Sequence, residues 1–346
     1  MAYTTIDDPS AYFKVQLWTG DDVDPRTITF DDTDTDMAPD FIWIKLRTVT
    51  HAHKLYDTVR GVNERHLVSD EDSAETTGQA ATGYMTATTS DGFTIAKGSG
   101  TWWNGNTSTL SSTYVAWCWK ESATAGFDIV TYTGNATDDT DISHNLSAVP
   151  HLIIVKNRGA AEDWNVYHHK NTSAPETDYL VLNDQDATAD AADRWSDEVP
   201  TSSVFTVGDN SDVNQDATGF VAYLFSEKQG FSKFGVFTGN GNADGPFCFC
   251  GFKPAFIIIK KSSATGPWIV FDNKRPFQTS DFEKPRLVAN ATGTDTSSFL
   301  GLDFLANGFK LRETDTDVNG NGVTYVYIAF AESSLVNSEG VPNNAQ

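Results

Sequence analysis

Apolar and polar residues alternate along most of this chain, and the same alternating phrase is written three times. Each round opens on an aromatic-led run ending in Thr-Gly: Tyr12 to Gly20 (YFKVQLWTG), Phe127 to Gly134 (FDIVTYTG) and Phe231 to Gly239 (FSKFGVFTG). A proline then leads into an apolar run closed by lysine, from Pro39 to Lys45, Pro150 to Lys156 and Pro254 to Lys260. Shorter runs follow at Lys54–Asp57, Trp164–Tyr167 and Trp268–Phe271, and a Phe-x-hydrophobe pair comes later at Phe93/Ile95, Phe205/Val207 and Phe309/Leu311. Every round ends on an aromatic run, Tyr114–Lys120, Phe220–Lys228 and Tyr325–Glu332. Period-2 alternation rich in β-branched and aromatic residues predicts strands, and no window of helical length carries a sustained 3.6-residue stripe.

The closing lysine falls at 45, 156 and 260, a spacing of 111 and then 104 residues. Solenoid units run to about 20–50 residues and lean on their neighbours, whereas a unit of about 100 residues is long enough to bury its own core. The expected organisation is therefore all-β: three tandem β-sandwich or jelly-roll repeats over residues 10–122, 126–228 and 230–333, followed by a tail over 334–346. Six or seven strands per repeat are expected, with turns in the Gly, Asn, Asp, Ser and Thr clusters between them. In the last run, Tyr325, Tyr327, Ala329 and Ala331 share one face, and Val326, Ile328 and Phe330 share the other. Both faces are apolar, as in a central strand covered on both sides or packed on a neighbouring domain. The linkers, Lys120 to Phe127 and Lys228 to Phe231, are short enough to press the repeats together, which predicts a compact pseudo-threefold arrangement.

Asp209–Asn214 and Thr314–Gly320 occupy matching places before the last run and are expected to form hairpin tips. The connections 70–90, 171–201 and 279–300 differ most between repeats. Loops on a rigid scaffold carry function, so receptor specificity is expected there.

Composition narrows the class. With 24 basic and 47 acidic residues the formal charge is −23, which disfavours nucleic acid and anionic lipid as partners. The N-terminal stretch has neither the basic nor the apolar segment of a signal peptide, and no apolar run approaches the ~18 residues of a membrane span. Cys118, Cys248 and Cys250 stand at unequal places in the repeats and read as free, small hydrophobes rather than a disulfide framework.

Candidate chemistry is sparse. Asp315, Asp317 and Asn319, followed by Gly320, match the first half of a calcium loop. Val326 stands where the bidentate glutamate belongs, so an Asx-stabilised turn is favoured over a metal site. His51/His53 and His168/His169 lack partners at zinc spacing and read as surface polar residues. No nucleophile elbow, phosphate loop or dinucleotide fingerprint is present. The expectation is a protein without catalytic activity and without a cofactor. Trp102 and Trp103, in a Gly/Ser/Asn loop, and Trp195, in a polar stretch, are the candidate binding residues. An exposed tryptophan is a typical interface anchor, and packing onto its own domain is the alternative.

The phrases at Ala11–Gly20, Pro39–Lys45, Leu55–Gly61, Ser202–Gln215 and Gly308–Arg312 resemble a module of tailed bacteriophages, especially marine phages of cyanobacteria. The resemblance covers about residues 10–333. It implies a virion structural protein, a tail fibre or tail appendage that binds the host surface through a glycan or protein. Its partners would be other virion proteins of the tail or capsid, in a multi-copy assembly, with no defined catalytic residues. The module begins at once, without an adaptor or shaft, which admits a capsid decoration protein beside a tail appendage. A polysaccharide depolymerase is the third reading.

Overall fold

The computed structural model describes residues 3–31, 35–78, 83–97, 112–275, 285–296 and 301–342. The protein is mostly β, 43 % strand and 6 % helix, with antiparallel sheets packed as sandwiches. Three stretches of chain follow one plan. In the first, the large sheet runs Phe13–Thr19, Thr113–Trp119, Phe41–Leu46, Lys54–Asp57. In the second, the order is Phe127–Thr133, Gly219–Phe225, Leu152–Asn157, Asn165–His168, extended by Asp178–Val181 and Ala189–Asp190. In the third it is Ser232–Thr238, Thr324–Ser334, Phe252–Lys261, Trp268–Asp272, Leu287–Val288. Each time, therefore, the opening strand lies against the closing strand, which lies against the proline-led strand. A smaller sheet covers one face: Arg26–Thr29, Gly92–Ala96 and Tyr84–Thr89 in the first stretch, Val204–Val207 with Thr140–Ser143 in the second, and Phe247–Phe249, Gly308–Leu311 and Leu302–Leu305 in the third. Seven, eight and eight strands are described where six or seven are expected. The additional ones come from the long connections.

The strict period of two decides what each face meets. Ile42, Ile44, Tyr114, Ala116 and Cys118 point into the first stretch's own sandwich, together with Phe93 and Ile95 of its small sheet. Their sequence neighbours Phe41, Trp43, Val115, Trp117 and Trp119 point the other way, into a core shared with Leu152, Tyr223, Phe225, Phe256, Ile258 and Phe330. Of the two expected ways to cover the second apolar face, packing on a neighbouring stretch is the one observed: half of each large sheet is buried against another stretch. At the centre, Trp119, Phe225 and Phe330, which hold matching places in the three closing strands, meet pairwise edge-on at 6.4, 5.5 and 5.6 Å. Such T-shaped pairs set the electropositive ring edge against the neighbour's face, contributing about 0.5–1.5 kcal/mol each beyond burial.

The expected hairpin tips are single helical turns instead, Ser211–Asn214 and Thr316–Asn319. Asn210 and Asp315 cap them by accepting from the backbone N–H two residues on, the ordinary helix N-cap. The three cysteines are buried and free, and burial pushes the Cys248 thiol up to about 12.

Candidate functional site

The residues singled out by sequence land mostly inside the protein. Trp102 and Trp103 lie outside the described residues. Trp195 ends a helical turn over Ala192–Trp195 and is 2 % exposed; its indole donates to the Asp178 carbonyl at 3.1 Å and meets Tyr167 edge-on. It plugs its own sandwich, so the surface reading of this residue is corrected. At the candidate calcium loop, Asp315 pairs with Arg286 at 3.2 Å and Asp317 with Lys261 at 3.1 Å. Asn319 is fully buried and turns its amide N–H groups toward Asn240 Oδ1 and the carbonyls of Asn242 and Glu313. Asn214 makes the same set with Asn135 Oδ1 and the carbonyls of Thr137 and Gly208. Two asparagines staple two turns in one geometry, with carboxylates held by basic side chains. No group of three or more metal-ligating side chains occurs among the described residues.

The closing lysines are the unexpected element. Lys45, Lys156 and Lys260 are buried, and each ammonium reaches backbone carbonyls delivered by a different stretch of chain. Lys156 donates to Asp72 at 2.9 Å and to its own Asn157 and Glu162. Lys260 donates to Gln185 and Asp186 at 2.9 and 2.7 Å and to its own Gly266. Lys45 donates to Thr292 at 2.9 Å and to its own His51. Burial lowers all three amines to about 8. Backbone bonds repeat the pattern: Glu162 N to Asp72 O, Gly266 N to Gln185 O and His51 N to Thr292 O. So do ring N–H groups, with Trp164 donating to Val68 O, Trp268 to Val181 O and His53 meeting Val288 O. Each junction has one sense, second stretch onto first, third onto second, first onto third, and the circle closes. The connections expected to be free receptor loops, 70–90, 171–201 and 279–300, supply these carbonyls over their described parts, except for Val68, which lies just before the first of them. His53 and His168, expected on the surface, are buried in the same junctions, and burial keeps both rings neutral.

Charge distinguishes the junctions. Glu75 is gripped by Arg60 and Arg158 at 2.7 and 2.8 Å, and Asp295 by Arg275 and Arg47 at 2.8 and 2.7 Å. At the third junction the matching places are held by Thr188, Asn171 and Ser262, which are neutral; Thr188 N still donates to Ser262 O at 2.9 Å, as Glu75 N does to Arg158 O.

The outer surface carries one feature that the sequence reading missed. Along the margin strands of the small sheets, Ile28, Ile142 and Cys248 each face a phenylalanine of the neighbouring strand. Their outward neighbours are Thr27 and Thr29 in the first sheet, Asp141 and Ser143 in the second, and Phe247 and Phe249 in the third. Those two phenylalanines are 46 % and 56 % exposed. Laying the three short strands beside one another is the signal that would have found them.

Comparison with known families decides the affiliation. A domain of unknown function, DUF7483, matches residues 8–334. The chain belongs to that family. No curated protein and no solved structure matches it.

Proposed function

We propose that this DUF7483 chain is a structural protein of a tailed-phage virion, made of three copies of one β-sandwich module closed into a ring about an approximate threefold axis. It stands on the particle as a tail appendage and contacts the host surface, and it is not an enzyme. The resemblance of its repeated phrases to phage modules supports the virion reading, and the matching strand orders and junction bonds support the three copies. The observation that carries the display role is the Phe247/Phe249 pair. Two large rings on a sheet margin, in one module of three, make a ring with equivalent interiors bind through one chosen side. Exposed aromatics on a margin strand suit a constant protein partner in the particle, by burial and by strand pairing. The same pair serves attachment to the shell, so a capsid decoration protein is the second reading.

The test is incorporation. Phe247→Asp/Phe249→Asp is expected to leave the purified protein's melting temperature unchanged and to deplete the chain from purified virions. Labelled antibody is expected on the tail; label over the whole head assigns the decoration role, and virions of the variant carrying a full complement overturn the attachment surface.

A further inference from the structure

The neutral junction lacks the arginines of the two charged ones. Where Arg60 and Arg275 fill their junctions, buried and salt-bridged, the second stretch offers only the shorter Asn171. The space opens as a pocket of about 400 Å³ whose walls include Asn171, Asp178, Thr188, Asp190 and Ser262. That volume lies within the range of small-molecule sites, roughly 300–1,000 Å³. Asn171 is 6 % exposed; its Oδ1 accepts from Thr188 Oγ1 at 2.6 Å, while its Nδ2 has no acceptor. Asp178 is 9 % exposed and accepts from Thr172 Oγ1. Among the described residues no basic side chain forms an ion pair with Asp178 or Asp190.

These groups specify the chemistry of an occupant. Ionised carboxylates only accept hydrogen bonds, and an amide nitrogen only donates. A buried amide without a partner is costly, so a ligand atom that accepts from Asn171 is favoured. An ammonium or guanidinium would satisfy the carboxylates and leave the amide unpaired. A phosphate would satisfy the amide and meet two negative charges. Adjacent hydroxyl groups donate to the carboxylates and accept from the amide at once. We propose that the pocket between the second and third modules, walled by Asn171, Asp178 and Asp190, is a binding site for a neutral polyhydroxylated ligand, a monosaccharide unit. The site rests on this geometry and stands apart from the virion reading, with which a host glycan is compatible.

The experiment is ligand-observed saturation-transfer NMR on the full chain with glucose, galactose, mannose and N-acetylglucosamine, each tested singly, and with methylguanidine as a cationic control. At least one sugar is expected to receive saturation. Asn171→Arg/Thr188→Glu, which installs the counterpart of the Arg60–Glu75 pair, is expected to abolish it. Asp190→Asn, an exposed and isosteric change, is expected to weaken it at least about tenfold if the carboxylate accepts a ligand hydroxyl. The proposal is overturned by silence from all four sugars, by binding that both variants retain, or by saturation of methylguanidine alone. Failure here leaves the attachment test of Phe247 and Phe249 untouched, and failure there leaves this site standing.

Discussion

The indole N–H of Trp43 donates to Nδ1 of His53 at 2.8 Å, which leaves Nε2 of the neutral imidazole as the atom that donates to Val288 O at 3.0 Å. In the other two stretches the ring N–H at that junction belongs to Trp164 and Trp268, and the place of Trp43 is taken by Ile154 and Ile258. A large ring has moved from one strand to the next while the cross-module bond is kept. Burial pushes the His53 pKa well down, so the required tautomer persists through the neutral range.

That exchange predicts strong coupling. Trp43→Ile alone opens a cavity and removes the acceptor's donor, at a cost of about 2–4 kcal/mol; His53→Trp alone overpacks, at about 1–3 kcal/mol. The double substitution W43I/H53W reproduces the pairing of the other modules and is expected to cost less than either single change. Urea denaturation of the four proteins in a double-mutant cycle measures this. Additive losses would show that an indole at position 53 does not replace the one at position 43.

The buried lysines predict stability that rises in alkaline solution. Their folded pKa is about 8, below the 10.5 of a free lysine, so between about pH 8 and 10.5 the unfolded chain binds more protons than the folded one. Stability from these groups therefore increases through that window and is flat below it. Lys156→Met strands the Glu162 carbonyl and takes one of two donors from that of Asp72, and is expected to destabilise the protein at pH 7 and to flatten the alkaline rise. Chemical denaturation at several pH values from 7 to 10 tests both; an unchanged slope in the variant refutes the assignment.

Asn214 and Asn319 are expected to be stability residues rather than ligands. Truncating either to alanine removes two amide N–H donors shared among three acceptors and one bond accepted by Oδ1, for a loss of about 2–4 kcal/mol at roughly 1 kcal/mol per bond. Millimolar calcium is expected to leave the melting temperature unchanged, because Asp315 and Asp317 already face Arg286 and Lys261. A calcium-dependent rise that Asp317→Asn removes would reverse this.

Tyr325 lies in the closing strand of the third module, fully buried, with its hydroxyl donating to Thr316 O at 2.6 Å and accepting from Gly320 N at 2.7 Å. Tyr325→Asp places a charge among apolar neighbours and is expected to cost several kcal/mol. An unchanged thermal melt would contradict the placement of this strand.

Replacing 171–201 by a short Gly/Ser linker is expected to unfold the sheet around it rather than merely remove a receptor loop. The segment supplies the strand Asp178–Val181, the buried Trp195 and the carbonyls that clasp Trp268 and Lys260. Circular dichroism and gel filtration of the deletion protein report the outcome; a soluble, cooperatively melting product would show that this connection is dispensable.

Period-2 alternation, turn residues and the recurring lysine were enough to read the main strands, their order of appearance and the two apolar faces of the last closing strand, because side-chain direction in a strand follows from local geometry alone. What covers the second apolar face was not legible: Trp117 and Trp119 read the same whether a module shields them itself or borrows Phe256 from another. Lys156 at a strand end looks like any solvated lysine, since the carbonyl of Asp72 that buries it comes from 84 residues away. Trp195 sits among polar neighbours in sequence and among apolar ones in space. The pocket beside Asn171 likewise depends on which stretches meet, and at which faces. Burial is a property of the assembled core, so only the tertiary structure decided it.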